Sequence, residues 1–332
     1  MTIAHTHHSL MTRKDRILMA VFYLLIALMA LICVIPIWMC FAVAFSDNTE
    51  IVQNGYALIP QSLTTDTFRY LFAERWKQLS RAFALSIGTT VFGTVIAVFV
   101  TVCFAYAVSQ RRFRGGQVLS FIAYFTMLFN GGMLAWYIVC TRYLHLGNSF
   151  WGLTIPSCFS VFNMYLMRNY FKGIPEELQE AAFVDGAGVF RTFFQIMLPL
   201  SKVGMITIAL FYGIGYWNDF YLPLMLSSKD KWYTTQYLLY RMMSNISFLV
   251  TQGGSASRIS TGIQPPTETA RMAMAVIAVG PIVIVYPFIQ KYFTKGVILG
   301  ALAGAAVGVA LGIAEHHKQA EASQVKSTLG NP

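Results

Sequence analysis

Acidic residues are scarce in this chain. Asp and Glu number 14 in 332 residues against 24 Lys and Arg, and charged residues of every type make up 11%. Soluble domains carry about 25%. With a mean hydropathy of +0.56, the sequence cannot cover a water-facing globule and requires an apolar solvent. The five cysteines, Cys33, Cys40, Cys103, Cys140 and Cys158, are odd in number, which excludes a complete disulfide framework. They sit in or beside apolar runs without metal-ligand spacing and are expected to be small buried hydrophobes. No G-x-x-x-x-G-K-[ST] phosphate loop occurs, since "GGSASRIS" from Gly253 lacks the lysine. H-E-x-x-H and a nucleophile elbow are also absent. The apolar runs hold no histidine and one acid, too little for an integral-membrane enzyme. They show no charge ring or carbonyl filter of the kind an ion channel needs. The net charge of +10 comes from basic residues at the ends of apolar runs, not from a stripe interleaved with aromatics, so no nucleic-acid surface is expected. His5, His7 and His8 read as a solvated tail, not a metal site. The first apolar run is too long for a cleavable signal and lacks a small-residue cleavage site.

What the chain does have is apolar length. Six runs stand out: 17–45 (with Pro36), 82–110, 117–141 (broken at Asn130-Gly131-Gly132), 148–167, 203–228 (with Asp219 inside) and 272–290. About 20 residues suffice to cross a bilayer. The fold class expected is therefore all-α: a polytopic membrane protein of six transmembrane helices. Residues 1–15 form an N-terminal tail, 16–295 the membrane domain and 296–332 a Gly/Ala-rich tail. The short, heavily basic flanks are Arg13-Lys14 with Arg16, "QRRFRGGQ" after span two, Arg168 to Lys202 after span four, and Lys291 with Lys295. All fall on one side if both termini are cytoplasmic. The long links 46–81 and 229–271 are then outside. In the tail, Gly296, Gly300, Gly304, Gly308 and Gly312 recur every fourth residue, giving one smooth helix face suited to close packing. A seventh span there would put the C-terminus outside, and Gly and Ala are weakly hydrophobic. A cytoplasmic or interfacial tail is the favoured reading.

The stretch "PEELQEAAFVDGAGVFRTFFQIMLPL", from Pro175 to Leu200, gathers Glu176, Glu177, Glu180 and Asp185 between two apolar runs. Pro175 and the two acids after it specify a helix start, so a short helix is expected to about Val184. Asp185-Gly186 signals a turn. Phe190, Phe193, Phe194 and Met197 then form one apolar stripe at helical spacing, and Pro199 ends or kinks that helix. Interfacial helices that lie on lipid are usually Lys/Arg-rich on the polar face. This one is acidic, which favours docking to a protein partner with a basic or polar cleft.

"EAAFVDGAGVFRTFFQIMLP" resembles the EAA loop of ABC-importer permeases of the maltose type, with Glu180-Ala181-Ala182, Gly186, Ile196 and Leu198-Pro199 at the family's spacing. "LSIGTTVFGTVIAVFVTVCFAYAVSQ", "SVFNMYLMRNYFKGIPEEL", "YWNDFYLPL" and "VYPFIQKYFTKGVILGA" carry the likeness along roughly Arg16 to Ala301, nearest the branch for complex oligosaccharides. After Ala301 the tail departs from the family pattern. The resemblance implies a non-catalytic subunit of the bacterial cytoplasmic (inner) membrane with no cofactor of its own, ATP and Mg being held by a partner. It implies two ATP-binding subunits, a second homologous permease chain and an extracytoplasmic solute-binding protein. The coupling residues it implies are Glu177, Glu180, Ala181, Ala182, Asp185, Gly186, Ile196, Leu198 and Pro199. Peptide or phosphate import is the alternative within transport.

Polar and aromatic residues inside spans are costly and so are candidates for a pathway. In "FYGIGYWNDFYLP" these are Tyr212, Tyr216, Trp217, Asn218 and Asp219, and elsewhere Asn130, Trp136, Tyr137 and Asn163. Aromatic faces with amide and carboxylate hydrogen bonds suit a sugar. The competing reading is interhelical pairing by Asp219 and an interfacial belt of Trp217 and Tyr221. The nearest-looking branch includes carriers of uronate oligomers. Arg69, Arg75, Lys77, Arg81, Lys229 and Lys231 in the outer links would tolerate an acidic cargo or an acidic binding protein, and would equally serve as ordinary surface.

Overall fold

The structure, a computed structural model, describes residues 13–60, 62–74, 76–129, 131–251, 268–284 and 287. The N-terminal histidines, Arg75, Asn130, the Gly253 stretch and the tail with its glycine repeat lie outside the described residues. The chain divides into two compact units, Met1–Trp76 with Arg241–Gly280, and Lys77–Tyr240 with Pro281–Pro332.

The first unit holds α1 (Arg13–Ala44), α2 (Asn48–Asn54) and α3 (Asp66–Glu74). Apolar side chains are exposed along nearly the whole of α1, as a span facing lipid requires. Asp47 starts α2 by accepting from Thr49 N at 3.4 Å. The link after α2 and the start of α3 are tied to helix 268–284: Tyr56 donates to Glu268 at 2.9 Å and Thr67 of α3 bonds Thr269 at 3.1 Å, while within that helix Arg271 pairs with Glu268 at 3.2 Å.

The second unit contains nearly all of α4 (Trp76–Ser109), then α5 (Gly116–Leu128), α6 (Met133–Ile138), α7 (Val161–Lys172), α8 (Glu177–Val184), α9 (Val189–Thr192), α10 (Leu198–Leu200), α11 (Lys202–Trp217) and α12 (Tyr221–Leu226). A further helix, α13 (Thr235–Thr251), begins in this unit. Among the described residues, 16–44 and 76–109 are long and apolar enough to cross a membrane, and two bent pairs raise the count to four.

Among the third to sixth runs, the third keeps its expected break and the others depart from their expected form. In 117–141 the break falls where expected. Gly132 has φ +85°, α6 runs on into a π-turn at Val139–Tyr143, and the two halves bend by 113°. The fourth run is not one helix over 148–167. Trp151–Leu153 and Ile155–Ser157 are 3-10 turns, and α7 starts only after Ser160 and continues to Lys172. Asn148 has φ +51°, Gly152 sits where a Cβ would meet the Leu146 carbonyl at 2.1 Å, and Pro156 has no N–H to continue a ladder. Asp219 lies in the gap between α11 and α12, so the fifth run is likewise two helices. In the sixth run the chain is already helical at 268, ahead of the expected start at 272.

One core organises the second unit. Val102, Ala105, Tyr106 and Val108 of α4 pack with Met164, Met167 and Phe171 of α7, Ile208 of α11, and Phe193 and Met197. Tyr106 is the hub, its ring 5.5 Å from Phe171 and 4.6 Å from Phe193. Phe193–Met197 is a π-turn. Its wider winding splits the expected stripe: Phe193 and Met197 are buried, whereas Phe190 is 80% and Phe194 54% exposed.

Candidate functional site

The stretch after α7 forms a knob of two short helices. α8 begins two residues beyond Pro175, with Glu177 and Glu180 in its first turn. It closes by paired bonds, Ala187 N to Ala182 O at 2.9 Å and Gly186 N to Phe183 O at 3.1 Å, with Gly186 at φ +79°. This is the Schellman arrangement, which needs a left-handed residue just past the helix and so selects glycine. After α9 and the π-turn the chain bends 77° into α11. Ser201 at the bend is buried, and both its amide and its hydroxyl donate to the Met197 carbonyl, at 3.0 and 2.7 Å.

The expected coupling residues divide by exposure. Glu177, Glu180, Ala181, Asp185, Gly186 and Pro199 face outward. Ala182 is buried, and Ile196 and Leu198 are half-buried, Leu198 against the core. Two apolar side chains complete the outward surface: Val184, 87% exposed, which sequence pattern did not single out, and Phe190, which was expected in a packed stripe but is exposed. The knob is held from behind by the α4–α5 link. Arg111 pairs with Glu176 at 2.8 Å, and the Arg112 guanidinium lies 5.0 Å from the Phe183 ring centroid. The two arginines were legible as charge after an apolar run, but not as contacts. An acid-flanked apolar tip on a rigid core can seat in a polar cleft of another protein.

The expected pathway residues fall into separate environments. Tyr212, Tyr216 and Trp217 are buried. The Tyr212 hydroxyl lies 2.6 Å from Thr101 Oγ1 and accepts from Ser160 N at 2.8 Å, and Tyr216 donates to the Thr154 carbonyl at 2.7 Å. Both hydroxyls are thus committed within the fold. Trp136 is half-buried, its ring 6.0 Å from Tyr221. Tyr137 lines a cavity of about 550 Å3 with Thr141, His145, Asn148 and Ser228. Asn163 is buried on α7, and its Oδ1 has no hydrogen-bond partner. Among the described residues the buried hydroxyls of Thr90, Thr94 and Tyr106 on α4 share this lack. Asn218 is exposed and donates to Ile214 O at 3.0 Å.

Asp219 has a local task. Its Oδ1 accepts from Tyr221 N at 2.8 Å and Leu222 N at 3.1 Å, capping α12. Asp219→Ala is expected to lower stability by about 0.5–2 kcal/mol, whereas Asp219→Asn keeps an acceptor oxygen and most of that stability. Thermal unfolding of the two variants checks this. Loss of uptake by the Asn variant at unchanged stability would give the carboxylate a second role.

Residues 104–299 match the family described as binding-protein-dependent transport system inner membrane component. The chain is 36% identical to the polygalacturonan/rhamnogalacturonan transport system permease protein YtcP of Bacillus subtilis, over 86% of this chain and 98% of that one. It is 28% identical to the arabinooligosaccharides transport system permease protein AraQ of Halalkalibacterium halodurans, over 82% and 91%. A crystal structure of a bacterial ABC transporter involved in the import of the acidic polysaccharide alginate superposes with a TM-score of 0.73 at 30% identity, covering 85% of this chain and 98% of that one.

Proposed function

The chain belongs to the binding-protein-dependent transport system inner membrane components, and from that premise we propose that it forms half of the translocation pathway for an acidic oligosaccharide of uronate type. It is the non-catalytic, multi-pass permease subunit of a bacterial ABC importer in the inner membrane. Six spans with both termini cytoplasmic bring the knob and every short basic flank to the inner face. There α8 and α9 dock into an ATP-hydrolysing subunit, one of two, which holds ATP and Mg. A second, homologous permease chain completes the pathway, and an extracytoplasmic binding protein delivers the cargo.

The observation that carries the coupling role is the Schellman-closed knob with exposed acids and an exposed apolar tip, rooted in the main core through Phe193 and Met197. An acidic cargo is supported by the polygalacturonan/rhamnogalacturonan and the alginate that two relatives are named for importing. Asn163 is a pathway candidate through a buried oxygen that must be uncovered before it can meet cargo. Trp136, Tyr137 and Asn218 remain partially open to a ligand. The test is ATPase stimulation of the reconstituted importer by its cognate binding protein loaded with oligogalacturonate or with a neutral maltooligosaccharide. Stimulation by the uronate alone is expected. Stimulation by the neutral sugar alone, or only by a peptide or phosphate ester, contradicts the cargo assignment.

A further inference from the structure

Behind the knob lies a cleft of about 1080 Å3, walled by the end of α4 and its link to α5, the last turn of α7, and the approach to α8. Four cations line it, Arg111, Arg114, Arg168 and Lys172, against two carboxylates, Glu176 and Glu177. One pair closes, between Arg111 and Glu176. Arg168 donates its Nε to the Val108 carbonyl at 3.3 Å and its guanidinium lies 5.7 Å from the Tyr165 ring centroid, contacts that supply no anion. Among the described residues, neither Arg114 nor Lys172 has a carboxylate within ion-pairing distance. Lys172 is the last residue of α7.

Like charges gathered in one cleft repel one another, and an anion that joins them removes that repulsion. Guanidinium forks and an ammonium together match the several oxygens of a phosphate. We propose that this cleft binds a phosphate group, supplied by the headgroup of an anionic phospholipid of the inner leaflet, and that its occupancy steadies the knob. The lipid source rests on the topology proposed above, which sets the ends of α4 and α7 at the level of the inner headgroups, where basic pockets between spans take such lipids. The link to the knob is direct. Glu176 and Glu177 line the same cleft, and Arg111, which would share the phosphate, already holds Glu176.

The test uses the whole importer, purified and reconstituted in neutral phosphatidylcholine with or without phosphatidylglycerol. Native mass spectrometry reads retained lipid, and binding-protein-stimulated ATPase reads coupling. The parent is expected to retain phosphatidylglycerol and to couple better in its presence. Arg114→Gln with Lys172→Gln is expected to weaken retention about 30-fold, on the order of fivefold for each cation lost, and to remove the lipid-dependent part of the coupling. The charge-conserving pair Arg114→Lys with Lys172→Arg is expected to keep both, which separates charge from misfolding. Equal retention by parent and Gln variant overturns the proposal, as does a Gln variant whose only defect is weaker ATPase-subunit binding, since the cleft then belongs to that protein. Recovery of the effect by soluble inorganic phosphate in neutral vesicles overturns the lipid source. Coupling absent from the parent in every lipid would count against the permease topology, a different failure from unchanged lipid retention in an importer that couples.

Discussion

An importer carrying Gly186→Val is expected to assemble its membrane subunits and lose most of its coupled uptake. Gly186 has φ +79°, and a Cβ there would meet nothing within 4 Å. The penalty is therefore conformational, not steric. A left-handed backbone costs an L-residue about 1–2 kcal/mol, and a β-branched side chain is the least tolerant of it. Each 1.4 kcal/mol is about tenfold in the population of the closed knob. Without that closure the Ala187 and Gly186 amides lose their acceptors, and the angle between α8 and α9 is no longer fixed. Uptake should fall roughly tenfold with Val and less with Ala. With Asn, which tolerates this backbone best among side-chain-bearing residues, it should stay near the parent. A flat series across Asn, Ala and Val would show that the turn geometry does not govern coupling.

The second large effect concerns the seam between α4 and α11. A Cβ added to Gly93 would lie 2.7 Å from the Tyr216 ring. That ring cannot retreat freely, because it is buried and its hydroxyl is bonded to the Thr154 carbonyl. Gly93→Ala is therefore expected to cost about 1–3 kcal/mol through overpacking, read as a fall in the thermal midpoint of the detergent-purified importer. Combining it with Tyr216→Leu should cost less than the sum of the two single changes, since the smaller side chain removes the clash. Strict additivity, or a Gly93→Ala protein as stable as the parent, would contradict the close approach. Gly204 faces the Tyr170 ring at the same 2.7 Å, so α11 meets both α4 and α7 through a glycine.

These two glycines mark how far the sequence could be read. Gly186 was legible because a helix stop is local: Asp185-Gly186 after an amphipathic turn names its own geometry. Gly93 was not, because its reason lies 123 residues away in Tyr216. The same division holds elsewhere. The start of α8 after Pro175 and the break at Gly131-Gly132 follow from nearby residues. The division of the Phe190 stripe does not, since the π-turn is fixed by how Phe193 and Met197 reach the core around Tyr106. Hydropathy marked the fourth and fifth runs as continuous because it sums apolar content and ignores hydrogen bonds. The 3-10 turns around Pro156 and the cap made by Asp219 interrupt both. In the same way Arg111 and Arg168 were legible as flanking charge, while their meeting in one cleft depends on how α4 and α7 pack.

The most direct measurement is site-specific photo-crosslinking from position 181 in the intact importer. Ala181 is outward on α8, while its neighbour Ala182 is buried. A probe at 181 should capture the ATP-hydrolysing subunit in both the ATP-bound and nucleotide-free states, and a probe at 182 should capture it weakly. Capture of lipid alone from position 181, with no crosslink to a nucleotide-hydrolysing chain, would contradict the docking of this knob.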